Sequence, residues 1–560
     1  MGRRRPVTRS SATDAASEQP SQLSHRQILV VFTGLMLGML LAALDQTIVS
    51  TALPTIVGEL GGLDHLSWVV TAYLLTSTAA TPLFGKISDL HGRRRLFQTA
   101  IVTFLVGSVL AGFSQNMAQL IAFRALQGVG GGGLIAMAQV IIGDVVSPRE
   151  RGRYMGYIGS VFAVSSVAGP LLGGFFVDQL TWRWVFYINL PVGAVALIVT
   201  NTVLNLPFRR VEHRIDYLGA TLLIAAITSI VLITTWAGTE YPWSSPVIVS
   251  LAIAAVLLVT AFVLHERRAE EPIMPLRLFG SSIFRVCTSA GFVVGLMMFG
   301  AIVFLPVFLQ VVTGVSATSS GLLLLPLMVG LVASSIGSGR AISRIGRYKV
   351  FPVVGTAILC VGMLLLSRMT EETSRLTVSA YMVVVGAGIG LVMQVLVLAV
   401  QNSVPHRDLG VATSTASLFR SLGGAFGTAI FGAVLANRLG FYLPRLVPGL
   451  SRGAIDVDSL QGSPEQIHAL PDALASGVIE AFARSIHVVF LWAIPIAILG
   501  FLITLFLKEI PLRESAHVGH AGEDLGAALE TGFDEDNVPE LVEAGGWCPA
   551  RRRGEPTGSC

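Results

Sequence analysis

Residues 85–95 read GKISDLHGRRR and separate two long runs that contain no charged residue, 68–84 and 96–113. Each run is long enough to cross a bilayer as a helix, whereas the bases of the intervening stretch would be costly to move across one. We therefore expect a tight loop between two membrane spans. Because short basic loops remain on the cytoplasmic side, this loop also predicts the orientation of the chain.

A second copy of the loop occurs at residues 339–349, which read GRAISRIGRYK and again lie between apolar runs. The two copies align at one common offset, which pairs Gly85, Gly92 and Arg93 with Gly339, Gly346 and Arg347. The same offset relates a second pair of segments, because it carries Gly169 and Gly173 onto Gly423 and Gly427. Unrelated segments that share one offset indicate an internal duplication, as in transporters built from parallel repeats.

The composition is typical of a polytopic membrane protein, since 53% of the 560 residues are hydrophobic and only 13% are charged. The net charge of +4 comes from short basic clusters between apolar runs, and no basic domain is present that would bind nucleic acid. These clusters fall on one side of the predicted spans. We therefore expect a multi-pass protein of the cytoplasmic membrane with both termini in the cytoplasm.

Apolar stretches of spanning length recur about fourteen times. They cover approximately 28–51, 66–84, 96–113, 118–141, 154–177, 184–206, 217–236, 246–264, 283–312, 319–338, 350–366, 376–400, 411–435 and 486–507. The pair at 217–264 has no counterpart in the first half, and we interpret it as a peripheral insertion. A long outer loop is predicted at about 437–485.

The loop motif and its repeat resemble the major facilitator superfamily, and the length of the offset resembles the fourteen-span drug:proton antiporter family within it. The resemblance covers about residues 26–508. It implies an all-α polytopic membrane protein with the major facilitator fold, in which two six-helix bundles are accompanied by two extra central transmembrane helices. The expected boundaries are 1–24 for a disordered cytoplasmic tail, 25–206 for the N-terminal bundle, 207–265 for the extra helices, 266–508 for the C-terminal bundle and 509–560 for an acidic cytoplasmic tail.

Asp45 lies inside the first predicted span, in the stretch LDQTIVSTALP, where an ionised carboxylate is expensive and usually functional. The family resemblance implies that it is a proton site. Arg124, in RALQGVGGGG of the fourth span, lies at a matching depth, about 10 Å below the outer surface against about 13 Å for Asp45. We expect the two side chains to couple proton binding to transport as a water path opens and closes. A permanent structural ion pair is the alternative.

Asp89 lies at the membrane border, where the resemblance implies a gating contact. Its carboxylate is expected to dock on Arg93 and on the positive N-terminal end of the span that begins near Val411. In the second copy the matching residue is Ser343, so the latch would be asymmetric, and a loop acid that only neutralises nearby bases is the alternative. The predicted gating set is Gly85, Asp89, Gly92, Arg93, Gly339, Gly346 and Arg347.

The fifth predicted span contains GPLLGG at 169–174, which resembles the antiporter motif of the superfamily although Ser165 replaces a customary glycine. Small residues let helices approach closely, and a proline within a span is expected to kink it. Ordinary helix packing is the alternative. The motif set is Gly156, Gly169, Pro170, Gly173 and Gly174.

Polar and aromatic residues within the spans are candidates for a substrate cavity, namely Gln46, Trp68, Tyr73, Gln127, Phe304, Phe308, Gln310, Gln394 and Arg420. Aromatic faces can bind flat lipophilic molecules. The predicted spans of the second half contain no acid, which favours lipophilic monocations, neutral compounds or zwitterions over dications. For Arg420 we favour a bond to backbone carbonyls at a helix break over attraction of an anionic substrate group.

These patterns predict a secondary antiporter that exports lipophilic drugs or toxic compounds in exchange for protons by alternating access. We expect a monomer without cofactor or metal, driven by the proton gradient. No P-loop provides an ATP site, and no HExxH or paired Cys/His spacing supports an enzyme. Export of an endogenous lipid, a siderophore or a self-made antibiotic is the closer alternative, and a non-transport receptor or enzyme the more distant one.

Overall fold

The computed structural model describes residues 25–60, 66–203, 216–238, 240–315, 317–447, 467 and 471–513. Within these ranges the chain is built from helices, and the β-type pairing is an isolated bridge between Ala237 and Tyr241. The predicted N-terminal tail, most of the acidic C-terminal tail and the centre of the predicted outer loop lie outside the described residues.

The N-terminal bundle begins with five long helices, α1 (His25–Leu60), α2 (Leu66–His91), α3 (Arg93–Gly112), α4 (Met117–Val145) and α5 (Pro148–Gln179). Two consecutive helices then form its sixth element, α6 (Trp184–Tyr187) and α7 (Asn189–Val203). Side-chain caps define some of the starts, since Asn116 accepts a hydrogen bond from the backbone of Gln119 at α4, and Ser147 accepts one from Glu150 at α5. Helix α4 packs against α2 and α3 and is buried on nearly all sides, which explains its lack of a polar face.

The two additional helices are α8 (Tyr217–Trp236) and α9 (Pro246–Glu266). They pack against each other, and α8 also contacts α2 of the N-terminal bundle. Helix α9 leaves large apolar side chains exposed, among them Val256 and Leu257, as expected of a surface that faces lipid. The pair is therefore peripheral, with α8 on the inner side.

The C-terminal bundle begins with α10 (Ser282–Val307), which continues into a π-helical turn at Phe308–Val312. The remaining helices are α11 (Ala317–Leu323), α12 (Leu325–Ile345), α13 (Val350–Leu366), α14 (Arg375–Ser403), α15 (Leu409–Leu446) and α16 (Asp472–Leu505). Their inward faces form one hydrophobic core that includes Phe284, Ile389 and Val489.

Each predicted span overlaps a helix in the part of the chain that the structure describes. Within the described residues, 12 helical segments are long and apolar enough to cross a membrane by length and composition. The other two predicted spans correspond to α2 and to α13, an apolar helix of 17 residues. The structure thus has a helix at each predicted position, while the number that crosses the bilayer remains a prediction.

The predicted outer loop at 437–485 is helical at both of its ends. Helix α15 continues to Leu446 and α16 already begins at Asp472. These extensions carry a buried apolar stripe at helical spacing, with Leu439 and Leu443 on α15 and Val478 and Phe482 on α16. Polar residues on the opposite faces lower the mean hydropathy, so a count of apolar residues misses both extensions.

The two bundles touch at the end that bears Arg93, Arg151 and Arg347, which we call the basic end. Helix α2 packs against α15 there, and α5 packs against α12. A Cβ atom added to Gly152 of α5 would lie 2.9 Å from the carbonyl oxygen of Gly339 on α12. The backbones of the two bundles are therefore in direct contact at this end, as close packing at glycine allows.

Candidate functional site

Asp45 lies at the centre of a buried polar cluster in the N-terminal bundle. Its side chain is 0% exposed, and that of Arg124 on α4 is 2% exposed. Arg124 Nη1 donates to Asp45 Oδ2 at 2.5 Å, Gln127 Nε2 donates to Oδ1 at 2.8 Å, and Asn189 Nδ2 donates to Oδ1 at 3.2 Å. The carboxylate therefore joins α1 to α4 and α7, with its charge paired and its lone pairs satisfied.

Arg124 is held from several sides. Its Nη1 also donates to Gln127 Oε1 at 2.7 Å, and its Nε donates to the carbonyl of Val69 at 3.4 Å. The guanidinium lies over the ring of Tyr73, 4.3 Å from the centroid, in a cation–π arrangement. These contacts orient the arginine toward Asp45, so the pair predicted from depth and from the family resemblance is in direct contact.

The glycines after Arg124 create the space for this cluster. A Cβ atom at Gly131 would overlap the Tyr73 hydroxyl, and one at Gly128 would overlap the backbone carbonyl of Tyr73. The run GVGGGG therefore lets α2 lie directly on α4 and places the Tyr73 ring over the guanidinium. The sequence alone did not indicate a role for this run of glycines.

The structure places Tyr73 and Gln127 in the ion-pair cluster and not on an open cavity, since they are 1% and 0% exposed. Asn189 was missed by the sequence analysis. A polar residue that directly follows the aromatic stretch WRWVFYI was the available signal.

Other residues predicted for the cavity have different surroundings. Trp68 packs edge-on against Trp236 of α8, with ring centroids 5.1 Å apart, so it holds the additional pair of helices against the N-terminal bundle. Phe304 contacts Phe431, and both Phe304 and Phe308 lie in the core of the C-terminal bundle. Neither phenylalanine is available to a ligand in this conformation.

The remaining cavity candidates are polar. Gln46, next to Asp45, is partly exposed, and Gln310 donates to the Ser320 hydroxyl at 2.9 Å. Gln394 is buried, and its Oε1 atom has no hydrogen-bond partner. Arg420 is partly exposed, and no helix break lies beside it, because α15 is continuous from Leu409 to Leu446. Arg420 makes no hydrogen bond to any residue that the structure describes, so the expected bond to carbonyls at a helix break is not formed there.

The first copy of the loop motif contains a compact ionic cluster. Asp89 forms an ion pair with Arg93, whose Nε also donates to Asp144 Oδ2 at 2.7 Å. Gly92, which lies between Asp89 and Arg93 in the sequence, has φ of 93°, a conformation that only glycine adopts without strain. Asp144, an acid shortly after the fourth predicted span, was missed by the sequence analysis.

Asp89 also approaches the other bundle, as the loop motif predicted. A Cβ atom added to Gly410 would lie 2.6 Å from Asp89 Oδ1, and Gly410 is in the first turn of α15. The carboxylate thus lies at the N-terminal end of that helix, where backbone N–H groups favour a negative charge. Gly85 makes a second close contact there, since a Cβ atom at Gly85 would overlap the Ser414 hydroxyl.

The second copy of the motif lacks such an ionic latch. Gly346 has φ of 75° and ends α12, while Arg347 is exposed. Ser343 accepts a hydrogen bond through its backbone carbonyl from Arg149 Nε at 3.4 Å. The latch is therefore asymmetric between the two copies.

The fifth-span motif packs α5 against α1 beside the ion pair. A Cβ atom at Gly169 would overlap the hydroxyl of Thr47, and one at Gly173 would lie 3.1 Å from the Ile48 carbonyl. Gly156, at the other end of α5, lies on the backbone of Ser335 in α12. Pro170 packs near Gly321 of α11, whereas Gly174 faces open space. Four of the five motif residues thus make interhelical contacts, and Gly174 does not.

A polar layer crosses between the bundles at the basic end. Arg151 Nη1 donates to Gln401 Oε1 at 3.0 Å, and Gln401 Nε2 donates to the carbonyl of Gln139 at 3.0 Å. Ser417 donates to Gln139 Oε1 at 2.9 Å. The layer therefore links α4 and α5 of one bundle to α14 and α15 of the other.

At the opposite end, Glu59 ties the tip of α1 to the aromatic stretch before α6. It accepts hydrogen bonds from Trp182 Nε1 at 2.8 Å and from Arg183 Nη1 at 2.5 Å. Glu59 lies beyond the apolar part of α1, and its bond to Arg183 lowers the pKa of the Glu59 carboxyl below its usual value.

Two helical bundles with a buried ion pair in one of them, joined by glycine contacts and a breakable polar layer, define a polytopic membrane transporter. The family model of the Major Facilitator Superfamily matches residues 35–217 and 207–428. The chain belongs to this superfamily, and it is a transporter and not an enzyme.

Several relatives span most of the chain. An uncharacterized MFS-type transporter of Mycobacterium tuberculosis is 46% identical over 513 residues, covering 92% of this chain and 73% of that protein. The multidrug transporter protein MdtP of Bacillus subtilis is 39% identical over 512 residues, covering 87% of this chain and 94% of that protein.

Solved structures share the fold. The human organic anion transporter MFSD10 superposes with a TM-score of 0.57 at 16% identity, covering 84% of this chain and 99% of that one. The proton:xylose symporter XylE superposes with a TM-score of 0.57 at 14% identity, covering 86% and 96%. At these identities the likeness concerns the fold alone.

Proposed function

We propose that the protein exports small lipophilic compounds across the cytoplasmic membrane in exchange for protons, with Asp45 as the proton site. The observation that carries this proposal is the enclosure of Asp45 by Arg124, Gln127 and Asn189. A carboxylate deep in a membrane protein is energetically costly, and such residues are usually functional. The names of relatives, such as the multidrug transporter MdtP, support a drug-like substrate.

The packing around Asp45 suggests how protonation of this residue affects the contact between the two bundles. When Asp45 binds a proton it loses its ionic bond to Arg124, and the contacts of α1 with α4 weaken. Helix α1 also packs on Gly169 of α5, and α5 packs on α12 of the other bundle at Gly156. A change at Asp45 can thus reach the contact between the bundles through one helix, as alternating access requires.

We infer that the basic end faces the cytoplasm, because short arginine-rich loops remain inside. In this conformation that end is closed by the glycine contacts and by the polar layer. The proposal further comprises fourteen spans, cytoplasmic termini, function as a monomer and a requirement for the proton gradient in place of a bound cofactor.

The test uses acid-loaded everted vesicles, in which lumenal pH is followed after addition of lipophilic cations and anions. We expect proton release in the wild type, none in Asp45→Asn, and normal release in the control Asp178→Asn, which changes an exposed acid on α5. Release that persists in Asp45→Asn would move the coupling site elsewhere. No release from the wild type with any compound would favour an endogenous lipid, siderophore or antibiotic as substrate.

A further inference from the structure

Arg420 is a cation without a partner inside the C-terminal bundle. Among the described residues it makes no hydrogen bond and no ion pair. It lies 11 residues after the start of α15, which places it about 16 Å inside the basic end. An arginine at this depth is unfavourable without a counter-charge, so its presence requires an explanation.

The surroundings of Arg420 lie at the border between the bundles. Ser417, one turn earlier on the same face of α15, donates to Gln139 of the N-terminal bundle. On the side of α10, a Cβ atom at Gly295 would overlap the carbonyl oxygen of Arg420 and lie 3.2 Å from its Cγ. The glycine therefore makes room for the first part of the arginine side chain, and Arg420 as a whole residue is partly exposed.

Arg420 differs from three other interior arginines, whose charges are paired with acids or bonded to polar groups. Arg124 is paired with Asp45, and Arg93 with Asp89 and Asp144. Arg151 is bonded to Gln401 and to the carbonyl of Val146. Helices α10 and α12 to α15 contain no Asp or Glu, so the bundle offers Arg420 no acid within these helices.

A second unsatisfied polar group lies at a similar depth. Gln394 of α14 is 4% exposed, and its Oε1 atom has no hydrogen-bond partner. It precedes the end of α14 by 9 residues, or about 14 Å from the basic end. Helix α10 packs against both α14 and α15, which carry Gln394 and Arg420. The oxygen and the NH₂ group of a glutamine side chain can exchange places by rotation of the amide.

We propose that Arg420 binds an anionic group of the substrate, such as a carboxylate or sulfonate on an otherwise lipophilic molecule. A guanidinium binds such groups through two parallel hydrogen bonds, and the ligand supplies the missing counter-charge. This inference rests on the proposed export function and narrows its substrates to lipophilic anions and zwitterions.

The test compares three probes with the same pyrene body, 4-(1-pyrenyl)butyrate, its methyl ester and 4-(1-pyrenyl)butyltrimethylammonium. Their binding to the purified full-length protein is measured by quenching of tryptophan fluorescence. We expect the wild type to bind the carboxylate about tenfold more tightly than the ester, as one charge-assisted hydrogen bond provides. Arg420→Gln should lose this preference, Arg420→Lys should keep part of it, and the control Arg285→Gln, an exposed position on α10, should keep all of it.

Several results would overturn the inference: equal binding of carboxylate and ester by the wild type, an undiminished preference in Arg420→Gln, or no binding of any probe. If Arg420→Gln does not fold, Arg420→Lys provides the test. The proposal then requires that Arg420→Lys prefers the carboxylate less strongly than the wild type does, while its affinity for the ester is unchanged. Equilibrium binding needs no proton gradient. A charge preference that depends on Arg420 can therefore hold even if proton exchange through Asp45 fails, and the two proposals are separable.

Discussion

Gly339 of α12 and Gly152 of α5 are in backbone contact across the two bundles, since a Cβ atom added to Gly339 would overlap the carbonyl oxygen of Gly152. Gly339 belongs to the second copy of the loop motif. That copy has Ser343 at the position where the first copy has the acidic residue Asp89. Its contribution to the closed basic end is therefore steric, whereas the first copy adds an ionic contact through Asp89.

Enlarging Gly339 should open the basic end. Gly339→Val cannot be accommodated without moving α12 from α5, because the overlapping atom is backbone. We expect a cysteine placed at Ser343, in a background without the native cysteines, to react faster with a polar maleimide in this variant. Gly337→Val is the control, since no atom lies within 4 Å of a Cβ there. Equal labelling in both variants would show that the glycine contact does not hold this end closed.

Breaking the buried ion pair from one side should destabilise the protein more than removing it entirely. Arg124→Gln leaves the Asp45 carboxylate buried without its cation, which costs about 3–5 kcal/mol in comparable cases. The double variant Arg124→Gln with Asp45→Asn should recover much of that loss, as measured by thermal unfolding of the purified protein at neutral pH. A double variant no more stable than Arg124→Gln alone would argue against direct coupling between the two charges.

Two glycines of the fifth-span motif, Gly169 and Gly174, should differ in their tolerance of a methyl group. Gly169→Ala is expected to destabilise the protein by about 1–3 kcal/mol, because its Cβ would overlap the Thr47 hydroxyl on α1. Gly174→Ala should be neutral or slightly stabilising, since its Cβ meets open space and alanine favours the helix. Thermal unfolding of the two variants side by side tests this order, and a reversed order would contradict the described packing of α5 on α1.

The contribution of Glu59 should depend on pH. Its pKa is lowered in the folded protein by the bond to Arg183, so its stabilisation is present above the unfolded value of about 4.5 and is lost as the pH falls through the folded value. Its side chain is 50% exposed, which keeps the effect below about 1 kcal/mol. The difference in melting temperature between wild type and Glu59→Gln should therefore be small at pH 7 and vanish in acid. A difference that grows in acid would contradict this sign.

Much of the architecture could be predicted because it depends on local properties of the chain. The spans follow from runs of apolar residues, and the shared depth of Asp45 and Arg124 follows from the fixed rise of a helix. The extra length of α15 and α16 could not be predicted from mean hydropathy, because their buried residues occupy a single face.

The composition of the site could be predicted only in part. Depth places Asp45 near Arg124, but it does not determine which side of α7 turns inward, so Asn189 was missed. Trp68 was assigned to a cavity because it is aromatic, whereas the additional helix α8 covers it through Trp236. Both outcomes depend on the rotation of a helix about its axis, which its neighbours decide.

The sequence by itself determined the membrane class, the repeated loop motif, the positions of the helices and the one acid that lies deep within the first span. These features depend on residues close together along the chain. The tertiary structure decided which polar groups are paired: it joined Asp45 to Arg124 and Asn189, connected Arg151 to Gln401, and left Arg420 without a partner among the residues that the structure describes. Pairing requires side chains from distant helices to meet, and close packing at glycine contacts sets the rotation and separation of those helices.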